Sequence, residues 1–132
     1  MFVNCCHCTE CQRQTGSAFV INGVIETDRI ELLAGAPVAV EVPTGSGRPH
    51  DIYRCPTCQV AVWSDYGRRP KLRFVRIATL DAPHAFAPNA HIFTRSKVPW
   101  VQLGDIPAFD VFYDLDKQWS AESLERRRKL FG

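Results

Sequence analysis

Four of the six cysteines in this 132-residue chain, Cys5, Cys6, Cys8 and Cys11, fall within seven residues, and the other two form one Cys55-Pro-Thr-Cys58. Disulfide frameworks spread their cysteines so as to close loops between distant segments, and the closure is what stabilises. Gaps of one and two residues do something else: a tight turn aims neighbouring thiolates at one ion. The Met-Phe-Val-Asn-Cys start does not read as a secretory leader, so the expected compartment is the reducing cytoplasm, which also disfavours disulfides. Metal is therefore the reading of the cysteines. Composition bounds the rest. At 45% hydrophobic and 23% charged residues the chain is globular rather than disordered. Its length suits one domain, taken as 1–132. A net charge of +2 is too small to argue for nucleic acid, and none is expected as a partner. No apolar run reaches the ~18 residues of a membrane span.

Along the chain, residues 11–16 read as a short helical turn that stops at Gly16. Residues 18–26 are apolar and β-branched and predict a strand, with Gly23 as a bulge. Residues 30–33 and 38–42 predict two more strands around a turn at 35–37, and 43–49 is loop by composition. Strands at 50–54 and 60–64 flank Cys55 and Cys58, which is the arrangement of a zinc knuckle. Further strands are expected at 72–79 and 91–94. Ser120 then caps a helix with Glu122 early, Arg126 to Lys129 late and Gly132 at its end, an order that complements the helix dipole. The fold class expected is mainly β with a short C-terminal α-helix.

Two metal arrangements are open on spacing. Cys8, Cys11, Cys55 and Cys58 would make one closed four-thiolate zinc site, structural in character. Alternatively Cys6 and Cys8, flanking His7 on an extended segment, point the same way, and Cys11 returns one turn later. Three thiolates leave the fourth position to water or substrate, as a catalytic zinc requires, and a thiol arriving there binds as thiolate. His7 then points away from the ligands, and Cys5 is a buried free thiol.

The segments Cys6-His7-Cys8-Thr-Glu-Cys11-Gln-Arg-Gln-Thr-Gly16-Ser-Ala-Phe19, Arg54-Cys55-Pro56-Thr-Cys58, His91-Ile92 and Ser96-Lys97-Val-Pro99-Trp100 resemble, in order and approximate spacing over residues 3–110, the glutathione-dependent formaldehyde-activating enzymes, grouped with the centromere protein V family. The resemblance implies a β-tent zinc-binding fold, followed here by a C-terminal extension and helix over 111–132. It implies a catalytic-type zinc on Cys6, Cys8 and Cys11 and half of a structural zinc on Cys55 and Cys58. The implied reaction is reversible addition of formaldehyde to the glutathione thiol. Two departures stand out. The family's upstream Cys-x-Cys on a first strand, which completes the structural site, is absent from this sequence. Cys55 and Cys58 are thus expected to borrow Cys5 or members of the trio, to bind weakly, or to stay metal-free. Gln59 stands where the family often has Gly, a strained choice if the knuckle needs a positive φ.

A glutathione site needs basic donors. Arg13, just after the trio, leads, with Ser17 and Lys97 as further substrate-binding candidates. Trp100 is expected to pack, His91 to be a satisfied structural histidine, and Arg73 and Arg76 to face solvent. The leading function is a zinc-dependent carbon–sulfur lyase acting on a glutathione or similar thiol adduct of formaldehyde or another small electrophile. The alternative is a non-catalytic, zinc-stabilised protein-interaction module. The oligomeric state is left open, with a homodimer among the options.

Overall fold

A computed structural model describes all 132 residues, and it is mainly β as expected. One sheet of seven strands comprises β1 (Phe2–Cys6), β2 (Val20–Glu26), β3 (Val38–Glu41), β4 (His50–Arg54), β5 (Ala61–Tyr66), β6 (Leu72–Arg76) and β7 (Ala90–Ile92). Their spatial order is β3-β4-β5-β6-β2-β1-β7. Three helices complete the fold: α1 (Thr9–Thr15), α2 (Leu115–Gln118) and α3 (Ala121–Phe131). All sheet neighbours run antiparallel except β1 and β7, which pair in parallel from Asn4↔Ala90 to Cys6↔Ile92. After β7 the chain continues that edge, with Phe109 N–H donating to the His91 carbonyl at 3.0 Å.

Alternation along the strands decides what faces the core. Phe2 and Cys6 of β1, Val20 and Val24 of β2, and Leu72 of β6 share one face, and with Ala90, Ile92, Tyr113 and Trp119 they form the main apolar cluster. Trp119 stacks on Phe2 with ring centroids 5.5 Å apart, and its indole N–H donates to the Tyr113 hydroxyl at 3.1 Å. That hydroxyl donates in turn to Asn4 Oδ1 at 2.8 Å, so the polar tips inside the cluster are paired.

The C-terminal helix has the boundaries its caps dictate. Ser120 Oγ accepts from the Ser123 amide at 3.1 Å, and the Gly132 amide closes on the Arg128 carbonyl. It is fastened to the sheet by Arg126, which grips the buried Glu26 carboxylate through Nε at 2.7 Å and Nη2 at 2.6 Å. Ser123 Oγ adds a bond to the Met1 carbonyl at 2.8 Å. The bidentate pair holds Glu26 down at about 2, well below the carboxylate range, with its Arg126 hydrogen bonds as the largest cause.

Several expectations are corrected. Residues 30–33 form no strand; they find no partner, and Leu33 is 85% exposed. Gly23 is no bulge, since it pairs in register with Val3 and Val75. Its lack of a side chain serves packing instead: a Cβ there would stand 2.7 Å from Ile77 Cδ1. The strand at 72–79 stops at Arg76 and turns into a 3-10 helix. Arg76 is buried, with Nη1 bonded to Asn22 Oδ1 at 2.6 Å, and Arg73 is half-buried over the Tyr53 ring; neither faces open solvent.

Candidate metal centre and substrate cavity

β1 ends at Cys6, His7 follows, and Cys8 is the N-cap of α1, its Sγ accepting from the Cys11 amide at 3.3 Å. The strand end therefore delivers Cys6, the cap delivers Cys8, and the first turn of α1 brings Cys11 back. Their three Sγ atoms all lie within 4.8 Å of one another. Gly16, in the left-handed conformation at φ 65°, ends the helix. The turn is held from both sides. The His7 amide donates to the Ile92 carbonyl at 3.0 Å, and Gln12 Nε2 donates to the carbonyls of His7 (3.0 Å) and Ser96 (2.9 Å).

Three thiols this close cannot all ionise on their own, because each thiolate opposes the next. Cys8 is held down at about 2 by hydrogen bonds from Cys11 and then Cys6. Cys11 is pushed up by the same two neighbours and by burial. For Cys6, the hydrogen bond with Cys11 pulls down, but Cys8 and burial outweigh it and raise the thiol to about 12. A divalent cation removes that conflict, and three convergent sulfurs suit zinc. The donor set therefore fits the metal that the family resemblance implies.

Behind the trio lies a second group, Cys5, His7 and His91, whose ligand atoms also fall within 4.8 Å of one another. His91 Nε2 faces the Leu103 carbonyl at 3.1 Å, so that nitrogen carries the proton and Nδ1 accepts. His7 Nε2, 2.8 Å from that Nδ1, is then the donor, and His7 Nδ1 is left bare with no partner. Burial, followed by His91 and Lys97, lowers His7 to about 4, so His7 is neutral and, with its bond to His91, supports the Cys6–Cys8 turn from beneath. Cys5, 1% exposed and raised to about 12 chiefly by burial, is the buried free thiol expected.

Cys6, Cys8 and Cys11 open into a cavity of about 760 Å³. The sheet supplies Asn4, Asn22, His50, Ser64, Tyr66 and Phe74 to its lining, and α1 adds Glu10 and Gln14, whose Oε1 is buried without a partner. His50, buried at the start of β4, is lowered to about 4 by burial and then by Arg76. Cys55 and Cys58 do not join the trio, which sets aside the single four-thiolate site. They sit at the exposed end of the β4–β5 hairpin, where the knuckle is well formed: the Cys55 amide donates to Val60 O, and Gln59 N–H to Cys55 O, both at 2.9 Å. Backbone amides of Cys58 and then Thr57 hold the Cys55 thiol below its ordinary value. Gln59 has φ 65°, so the positive φ suspected from the sequence is there.

The substrate-binding candidates fall elsewhere. Arg13 is exposed and 3.6 Å from Glu10, Ser17 is exposed, and Lys97 Nζ is spent on the Val98 and Val101 carbonyls at 3.1 and 2.9 Å. None of the three lines the cavity. Trp100, expected to pack, is 76% exposed. The cavity's basic residues are Arg48, Arg69, Arg95 and Arg127, which sequence reasoning missed. Only contacts over long sequence separations place them together, and no local pattern marks them.

Residues 1–96 match the family model of the glutathione-dependent formaldehyde-activating enzymes. No curated protein matches the chain significantly. No helix is long and apolar enough to cross a membrane.

Proposed function

We propose, for a chain that belongs to the glutathione-dependent formaldehyde-activating enzyme family, that it is a zinc-dependent carbon–sulfur lyase of the S-(hydroxymethyl)glutathione synthase type. The observation that carries this reading is the convergence of three thiol sulfurs at the wall of a cavity large enough for a tripeptide. Cys6, Cys8 and Cys11 would hold the zinc. When bound there, zinc supplies a lowered pKa for an incoming thiol and a Lewis acid beside the one-carbon electrophile. In the synthetic direction a sulfur–carbon bond forms, and the thiol proton ends on the former carbonyl oxygen; the reverse step releases formaldehyde.

The chain's own residues position these partners. His7 and His91 keep the ligand turn in place, and Gln12 ties it to Ser96. The amides of Asn4 and Asn22 and the hydroxyls of Ser64 and Tyr66 lie along the cavity as donors for a developing alkoxide. The Gln14 carbonyl offers an acceptor to a substrate amide or ammonium. Enzyme and ligands act within one domain, and six free thiols suit the reducing cytoplasm.

One observation favours the alternative, an interaction module: β3 is a sheet edge exposed along its whole length, with Val38 and Val40 open to solvent. Metal content per chain and turnover of formaldehyde with glutathione, measured on the wild type and on Cys6→Ala, decide between them. The enzyme reading expects zinc and turnover to fall together in the variant. Turnover that survives loss of Cys6 would sink it.

A further inference from the structure

Six of the twelve arginines have a carboxylate within 4.0 Å: Arg13, Arg29, Arg68, Arg73, Arg126 and Arg128. Of the six that have none, four line the cavity: Arg48, Arg69, Arg95 and Arg127. The only carboxylate in that lining is Glu10, already engaged with Arg13. Unpaired guanidinium groups gathered on one concave surface repel one another, and an anion relieves them. Arg69 feels this directly: burial lowers it first, and the charges of Arg48 and Arg127 lower it next. Its Nε is fixed on the Tyr66 carbonyl at 2.9 Å, and its guanidinium lies 5.5 Å from the Phe74 ring centroid, so the group is oriented as well as charged.

Arg69 and the two arginines whose charges reach it, Arg48 and Arg127, come from separate elements. Arg48 lies in the loop before β4, Arg69 in the β5–β6 turn, and Arg127 on α3, beyond the residues that match the family. The contrast with its neighbour is informative. Arg126 turns to the sheet and bolts the helix to Glu26, while Arg127 turns to the cavity with its guanidinium 5.4 Å over the Phe131 ring. Lys71 Nζ, bonded to the Leu130 carbonyl at 3.0 Å, ties down the other end of the helix. A helix fastened at both ends holds Arg127 in a defined place, which is what lets a guanidinium read a carboxylate as a fork.

We propose that Arg48, Arg69 and Arg127 form an anion-binding subsite that recognises the carboxylates of an acidic thiol in the cavity shared with Cys6, Cys8 and Cys11. Through Arg127, α3 becomes a specificity element although it lies beyond the residues that match the family. The thiol half of the proposal rests on the lyase reading; the anion half does not.

The test titrates zinc-loaded protein with S-methylglutathione, which has both carboxylates but no free thiol, and with its diethyl ester. Arg127→Gln and Arg48→Gln are each expected to weaken binding of the dicarboxylate about tenfold, the loss of one charge-assisted contact, and to leave the ester unchanged. Arg127→Lys, which keeps the charge, should recover part of the affinity. Equal affinity of wild type and both glutamine variants for S-methylglutathione overturns the subsite, as does an equal loss for the ester. Inorganic phosphate that binds more tightly than the dicarboxylate overturns the carboxylate assignment. Cys8→Ser separates the two readings: it should abolish turnover yet still bind S-methylglutathione. If that variant turns over normally, the lyase reading fails while the subsite stands.

Discussion

The two thiol groups of this protein share a chemistry and differ in everything around it. Cys6, Cys8 and Cys11 converge on a cavity, backed by a histidine pair and a twice-bonded glutamine. Cys55 and Cys58 cap an exposed hairpin and have only each other. Three thiols at a partly enclosed site set up a charge conflict that a cation resolves while leaving a coordination position free. Two thiols at a hairpin tip meet no third thiol or imidazole close by. The proposed chemistry is therefore placed at the trio, where three thiols meet, rather than at the knuckle, where there are two.

The sharpest way to break this comparison is to exchange the damage. Cys8→Ser should lower turnover of formaldehyde with glutathione by at least about a thousandfold, since it removes both a proposed zinc ligand and the cap of α1. The Cys55→Ser/Cys58→Ser double variant should stay within about threefold of wild type. Comparable losses in the two variants would erase the distinction.

Next in size is the fastening of the cavity wall. Arg126→Ala strands the buried Glu26 carboxylate with only Arg29 at 3.5 Å, and should cost about 3 kcal/mol, on the order of 10 °C in melting temperature. No such loss is expected at the knuckle, where nothing is buried. A thermal melt showing less than about 2 °C of change would mean that the helix is not held by this pair.

The thiols should also differ in reactivity toward an aromatic disulfide reagent. In metal-free protein the knuckle thiols and Cys8, whose thiol is held low at the cavity wall, should react first. Cys5, buried and raised to about 12, should react only on unfolding. An early modification at Cys5, read by mass spectrometry, would contradict its burial.

The cavity side carries a pH dependence as well. His50 sits at about 4 in the folded protein against an ordinary 6.5, because burial and Arg76 disfavour its cation. Between those values the unfolded chain binds more protons, so stability is full above pH 6.5 and declines as pH falls toward 4. Replacing His50 with Gln should flatten that part of the denaturation-against-pH curve; an unchanged slope would assign the decline to other groups.

The smallest effect lies at the knuckle. Gln59→Gly relieves a side chain held at φ 65° but gives up the Gln59 Nε2 bond to the Pro56 carbonyl at 3.3 Å. A net gain of about 0.5–1 kcal/mol in chemical denaturation is expected. A loss would show that the side-chain bond outweighs the strain.

The sequence by itself determined the features that depend on near neighbours. Thiol spacing put Cys6, Cys8 and Cys11 around one turn. Gly16 and Gly132 ended helices because only glycine takes the left-handed conformation freely, and Ser120 began one because its hydroxyl satisfies an open amide. The apolar, β-branched run at 18–26 made a strand of β2. Where local preference was the only guide, it misled: residues 30–33 look like a strand but find no partner, and Arg13 follows the trio in sequence yet points to solvent. The tertiary structure alone decided that Cys55 and Cys58 stay apart from the trio, that His7 meets His91 across 84 residues, and that Arg48, Arg69 and Arg127 line one cavity. The reason is physical. A strand or cap is set by torsions and bonds within a few residues, whereas a cavity is set by which strands pair, and pairing is a property of the whole sheet.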